Sequence, residues 1–162
     1  EKQVHVSFYA SLFRTECKVL TLEEIISDPT PPLKNEILAY RTALAEGRAE
    51  EAEAEGGLPG FTRGSSRADK GECARNIQPV VGLDFDHVKD LPALILAFRA
   101  LSSTLAMFVS PGGEGLKVFV RVDCPAERHG EAILVAAFFE KAGGVASDAK
   151  CKDISRCCYV AT

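Results

Sequence analysis

Apolar and polar positions alternate near the start of the chain. Val4, Val6 and Phe8 fall on one side and His5, Ser7 and Tyr9 on the other, the period-two pattern of a half-buried strand. Thr21 and Glu24 stand at capping-box spacing ahead of Leu22, Ile25 and Ile26, which predicts a helix start. A second helix is expected after Pro31–Pro32, because Leu33, Ile37, Leu38 and Leu44 recur at helical spacing and proline is tolerated in a first turn. The acidic run EGRAEEAEAE solvates its tail. Gly56–Gly57 and Pro59–Gly60 then break it, and Thr62–Asn76 reads as an exposed polar arm.

The second half is more regular. Ile77–Asp86 is a strand, and Asp90 caps a helix to about Ser103 with a stripe of Leu91, Leu94, Ile95, Phe98 and Leu101. Leu105–Ser110 is a second strand, PGGEG a glycine-rich turn, and Leu116–Val122 a third strand. In that third strand Leu116, Val118, Val120 and Val122 oppose Lys117, Phe119 and Arg121. A helix over Ala126–Lys141 is expected to bury Ile133, Leu134, Ala137 and Phe138 and to end at Gly143–Gly144. Cys157–Ala161 is the last strand.

The expected fold class is therefore α/β of the α+β kind. A ferredoxin-like, RRM-like βαββαβ unit over residues 77–162 follows a smaller N-terminal α/β module over residues 1–76, the two together making one domain. Right-handed crossovers make strands one and two parallel, with strand three antiparallel between them and strand four antiparallel on the other side of strand one. Asp84, Asp86, Ser110, Gly112–Lys117 and Asp148–Arg156 then share one sheet edge.

Composition narrows the class. At 162 residues the chain is long enough to bury a core without staples, and its longest apolar stretches fall short of a membrane span. With no signal-peptide pattern either, a cytoplasmic protein with no membrane association is expected. The net charge of -4 argues against a protein that coats nucleic acid generically, but Arg63, Arg67, Lys70 and Arg75 give the polar arm a local basic excess. The six cysteines contain no CxxC pair, and His5, His87 and His129 are unclustered, which favours reduced structural thiols over zinc.

Three segments could carry chemistry. Asp84 and Asp86, two apart on a strand, project from one face, and paired carboxylates repel unless a cation lies between them. On their own they read more simply as a strand end whose aspartates are solvated or cap the next helix. The turn SPGGEGLK is either a phosphate cradle with Lys117 as its point charge or a simple hairpin needing positive φ. The segment SDAKCKDISR is a solvated mixed-charge loop, or else its third carboxylate completes a two-metal site with basic residues to hold polyphosphate. His87 and His129 receive no role.

LDFD, FVSPGGEGLKVFVRV and SDAKCKDISRCCYVA, in this order and together with LPGFT, resemble the VirE-type N-terminal domain found in bacterial proteins often tied to mobile elements. That group is similar to primase-polymerases of the archaeo-eukaryotic primase superfamily. The resemblance implies an RRM-like catalytic unit beside a smaller module, in a DNA-directed nucleotidyltransferase serving DNA replication of mobile elements. It implies Mg²⁺ or Mn²⁺ held by Asp84, Asp86 and Asp148, with Asp153 competing for the third role. It further implies a nucleoside triphosphate held by Ser110, Gly112, Gly113, Gly115, Lys117, Lys152 and Arg156. Arg63, Arg67, Lys70 and Arg75 are expected on a DNA or RNA template. A helicase-like domain is expected downstream, the chain being a piece of a longer protein. One departure stands out: Gly115-Leu116-Lys117 replaces a second-motif segment that often carries a histidine. The rival implication is a module that keeps the fold without catalysis and binds nucleic acid or serves assembly; RRM-type sheets stack bases on exposed aromatics, and Phe119 with Tyr159 is a thin supply for that. Metal-dependent phosphodiester cleavage at the same cluster is a third.

Overall fold

The computed structural model describes residues 3–9, 18–27, 31–48, 50, 60–62, 79–122, 129–149 and 158–159. The first elements are β1 (His5–Tyr9), β2 (Lys18–Thr21), α1 (Leu22–Ser27), α2 (Pro31–Ala45) and β3 (Gly60–Thr62). They are followed by β4 (Val80–Phe85), α3 (Leu91–Arg99), β5 (Thr104–Val109), β6 (Leu116–Arg121), α4 (His129–Gly143) and β7 (Cys158–Tyr159). The α+β class holds.

Two sheets organise these elements. One is four-stranded in the order β2-β1-β3-β7, and the other three-stranded in the order β4-β6-β5. In the second sheet β6 runs antiparallel between β4 and β5, as the crossover rule requires. The last strand departs from expectation: β7 pairs with β3, Gly60 facing Tyr159 and Phe61 facing Cys158, rather than flanking β4. The strand order βαββαβ thus survives along the chain, but its final strand closes the N-terminal sheet. The strands β2 and β3, of four and three residues, carry too short a pattern for sequence alternation to reveal.

Every residue of β4 is buried, because the three-stranded sheet is covered on both faces. On one face Val81, Leu83, Phe85, Leu116, Val118 and Val120 pack against Leu94 and Phe98 of α3 and Ala136 and Phe139 of α4. On the other face Val80, Phe108 and Phe119 join Val6 of β1, Leu22 and Ile25 of α1 and Ile37 of α2. Phe119 is 1% exposed and stacks on Phe108 with ring centroids 5.6 Å apart. It offers no open platform for a base, which thins further the aromatic supply available to the rival reading.

Local signals set several element ends as the sequence implies. Glu24 accepts from the Thr21 backbone N–H at 2.7 Å and from its hydroxyl, while the Thr21 hydroxyl accepts from the Glu24 N–H at 3.1 Å. These bonds, the backbone one foremost, hold the Glu24 carboxyl below its ordinary range. Asp90 caps α3 by accepting from the Ala93 N–H at 3.0 Å. The second helix stops at Ala45, before the acidic run, where Gly47 turns left-handed with φ 74°.

The face of α4 was misjudged from sequence. Ile133, Leu134, Ala137 and Phe138 are all exposed, and Leu38 of α2 likewise faces solvent. The stretch 133–139 is apolar all round, so its periodicity selects no face. Tertiary contact does: Phe139 packs 5.0 Å from Phe98, and Gly143 lies so close to α3 that a Cβ there would stand 2.5 Å from Leu94 Cδ1 and 2.8 Å from Phe98 Cζ. The only side chain Gly143 lacks is the one that would hold the helices apart.

Candidate functional site

The ends of β4 and β6 meet the glycine-rich turn at one edge of the three-stranded sheet. Asp84 and Lys117 are directly opposed across β4 and β6, and their side chains form an ion pair at 8% exposure each. The pairing follows from strand parity: both residues sit on the sheet face that also carries Phe119, where neither charge could be buried without the other. Lys117 Nζ donates to Asp84 Oδ2, whereas Asp84 Oδ1 is buried with no hydrogen-bond partner among the described residues. An ionised carboxylate has acceptor capacity at both oxygens, and Lys117 engages one of them.

Asp148 arrives from the segment after α4. Its backbone N–H donates to the Asp84 carbonyl at 2.8 Å, which docks this loop on the strand end. Glu140 secures the approach by accepting from the Ser147 N–H at 3.0 Å and from its hydroxyl. Asp86, just past β4, has its carboxyl pushed above the ordinary value. Partial burial is the largest cause, followed by the charge of Asp84; Lys117 opposes the shift, Asp148 adds to it, and His87 opposes it. Three carboxylates and one ammonium therefore share one electrostatic neighbourhood.

The turn itself is an internally bonded hairpin. The Ser110 N–H donates to Gly115 O at 2.8 Å, the Gly113 N–H to Ser110 O at 2.9 Å, and the Gly115 N–H to Ser110 Oγ at 3.0 Å. Gly113 is left-handed at φ 84°. Gly115 is required by proximity, since a Cβ there would stand 2.9 Å from Phe85 O and 3.4 Å from Asp86 Oδ1. The turn is thus pressed against the carboxylates. Ser110 spends its hydroxyl oxygen on the turn and Lys117 its ammonium on Asp84, so their expected nucleotide roles would compete with contacts already made.

His87 adopts a left-handed backbone with φ 51°, and its Nδ1 lies 3.5 Å from Glu114 Oε2 in an exposed pair. That kink turns the chain from β4 into the cap of α3. Beside it a cleft of about 590 Å³ runs between the start of α3 and the end of α4, lined by residues including His87, Asp90, Leu94 and Val145. None of Asp84, Asp86 or Lys117 lines it. Sequence reasoning missed Arg41 of α2, whose Nε–H donates to the Pro111 carbonyl at 2.9 Å. Nothing local to residue 41 signals a contact 70 residues away.

Among the described residues no three His, Cys, Asp or Glu side chains stand together as a ready metal-binding group. Asp84, Asp86 and Asp148, the side chains expected to hold a cation, offer oxygen donors only, the type a hard divalent cation takes, and one of these oxygens is buried without a hydrogen-bond partner among the described residues. Asp153, Lys150, Lys152, Arg156, Arg63, Arg67, Lys70 and Arg75 lie outside the described residues, as do Cys17, Cys73, Cys124, Cys151 and Cys157. No helix among the described residues is long and apolar enough to cross a membrane.

A family model described as BT4734-like, N-terminal domain matches residues 62–162. Neither the curated proteins nor the solved structures contain a match to the chain.

Proposed function

The chain belongs to the BT4734-like, N-terminal domain family, and on that footing we propose that it is a primase-polymerase-like nucleotidyltransferase domain that binds a nucleoside triphosphate and a nucleic-acid template. The observation that carries the proposal is the Asp148 N–H bonded to the Asp84 carbonyl. It brings the third carboxylate to the strand end that bears Asp84 and Asp86, beside the glycine-rich turn. Two of the VirE-type segments, LDFD and FVSPGGEGLKVFVRV, together with Asp148 of the third, fall on these same elements. Their likeness to primase-polymerases supports DNA replication of mobile elements as the setting, with a helicase-like partner domain and a cytoplasmic location.

Asp84 through Oδ1, Asp86 and Asp148 would hold Mg²⁺ or Mn²⁺, with Asp153 as a further candidate. The cation would supply neutralisation of the triphosphate and activation of the attacking 3′-hydroxyl. The chain's own contribution is electrostatic. Partial burial first, and the charge of Asp84 second, raise the Asp86 carboxyl, so added positive charge beside it would be favourable. Lys117 fixes Asp84 in place and keeps a positive charge at the edge where phosphates would approach. Basic residues of the arm, Arg63, Arg67, Lys70 and Arg75, would track template phosphates, with Lys152 and Arg156 on the nucleotide.

The test is binding of dATP with and without Mn²⁺ by wild type and by Asp86→Asn/Asp148→Asn, followed by extension of a primer-template and a parallel assay on a labelled single strand. Asp84→Asn is a poor choice of variant, since it leaves the buried Lys117 without its counter-ion. Metal-dependent binding lost in the double variant, with primer extension by wild type, is expected. No binding by folded wild type overturns the proposal in favour of a non-catalytic module, and cleavage without extension in favour of a nuclease.

A further inference from the structure

We propose that Arg41 is a phosphate-binding residue of this site, supplied by α2 from outside the segment that the family model matches. The inference rests on the triphosphate reading above and names the residue that recognises the polyphosphate. The C-terminal half of α2 lies directly on the glycine-rich turn. Arg41 Nε–H donates to the Pro111 carbonyl at 2.9 Å, and a Cβ on Gly113 would stand 3.9 Å from Arg41 Nε. Leu44, one turn further on, would be 3.7 Å from a Cβ on Gly112. Pro111 is buried and Arg41 half-buried, so the guanidinium is positioned rather than free in solvent.

A guanidinium has five N–H donors in a planar fork. One is committed to Pro111, and Arg41 makes no other hydrogen bond among the described residues, which leaves the Nη edge for a ligand. The same turn presents two backbone donors. The N–H groups of Gly112 and Glu114 have no acceptor among the described residues, while those of Ser110, Gly113 and Gly115 are used within the turn. Two open amides beside a fixed arginine fork are the donor set that a terminal phosphate of a nucleotide requires. Lys117, the expected phosphate contact, is engaged by Asp84, so Arg41 fills a need that the turn alone leaves open.

The fork also explains why arginine rather than lysine stands there. A lysine ammonium has three donors but no fixed planar edge, whereas the guanidinium keeps Nε–H on the Pro111 carbonyl while its Nη groups present a bidentate edge to the ligand. Arg41 thereby couples the N-terminal module to the site.

The experiment measures calorimetric binding of four probes to the full chain: dATP with Mn²⁺, inorganic tripolyphosphate without metal, deoxyadenosine, and a single-stranded DNA oligonucleotide. Wild type is compared with Arg41→Gln and Arg41→Lys, with melting temperature as the folding control. Expected is a loss of about tenfold to a hundredfold in affinity for dATP and for tripolyphosphate in Arg41→Gln, the scale of a charge-assisted hydrogen bond. Arg41→Lys recovers part of it, and deoxyadenosine binding is unchanged. The inference is overturned if Arg41→Gln keeps wild-type phosphate affinity. It is also overturned if both variants lose deoxyadenosine and dATP equally with a lowered melting temperature, since Arg41 would then be only a clamp on the turn. Should Arg41→Gln weaken single-stranded DNA binding alone, the arginine serves a nucleic-acid backbone instead, and the inference fails. Metal-dependent dATP binding that is sensitive to Asp86→Asn/Asp148→Asn but not to Arg41→Gln would sink the inference while sparing the functional proposal. Wild type that binds neither dATP nor tripolyphosphate sinks both.

Discussion

Lys117→Met is expected to be among the most damaging single substitutions in this domain, although it trades a charged residue for an apolar one inside a sheet. Asp84 and Lys117 are each 8% exposed and face one another across β4 and β6, with Phe119 two residues along the same strand face. Removing the ammonium leaves a buried carboxylate without its cation, and one of its oxygens already has no hydrogen-bond partner among the described residues. Breaking a buried pair from one side costs about 3–5 kcal/mol. For a domain of this size each kcal/mol lowers the melting temperature by roughly 2–4 °C, so a fall of about 10 °C is expected. Asp84→Leu/Lys117→Met, which removes both charges, should return to within about 1 kcal/mol of wild type, because desolvation of the pair offsets most of its attraction. The assay is urea denaturation followed by circular dichroism at pH 7 for wild type, each single variant and the double, with equal m-values as the check on two-state behaviour. A Lys117→Met variant within 1 kcal/mol of wild type, or a double variant as unstable as the worse single, would refute the reasoning.

Three further outcomes follow from the geometry. Phe139→Ala should cost about 3–5 kcal/mol in urea unfolding while Phe138→Ala, one residue away but 56% exposed, should cost under about 1 kcal/mol; equal effects would mean that α4 is turned differently. The Asp86 carboxyl binds its proton more tightly folded than unfolded, so its stabilising contribution is present below its ordinary value of 3.8 and is lost as pH rises through the folded value. Asp86→Asn should therefore match wild type near pH 3 and melt higher at pH 7, by no more than about 1 kcal/mol because the residue is exposed to screening solvent; melting curves that stay parallel across this range would contradict the linkage. Gly115→Ala should cost about 1–3 kcal/mol, since the added Cβ meets the Phe85 carbonyl at 2.9 Å and backbone cannot step aside; an unchanged melting temperature would show that the turn is loosely held.

Much of the candidate site was legible because its signals are local. Asp84 and Asp86 on a strand end, three glycines in a hairpin and Asp148 after a glycine-terminated helix all follow from residue type and spacing, and the crossover rule then gathers them at one edge. What these side chains do to one another was not legible. Lys117 looked like a residue on a polar face because Lys117 and Arg121 alternate with valines. That face proved to be buried beneath β1, α1 and α2, which turned a free cation into half of an ion pair. Arg41 was invisible for the complementary reason, being an ordinary polar position of an amphipathic helix until the turn is placed against it.

The sequence by itself determined the α+β class, the capping box at Thr21, the cap at Asp90, the central position of β6 and the segments that bear the carboxylates. Each rests on a period, a cap or a chirality rule that acts over a few residues. Tertiary structure alone decided that β7 joins β3, that α4 turns Phe139 rather than Phe138 inward, and that Asp84 spends one oxygen on Lys117. Strand partners, helix rotation and buried charge pairs are chosen by the fit between distant surfaces. An all-apolar helix or a two-residue strand is compatible with several fits, and only the packing of Gly143 on α3 and of β3 beside β1 selects among them.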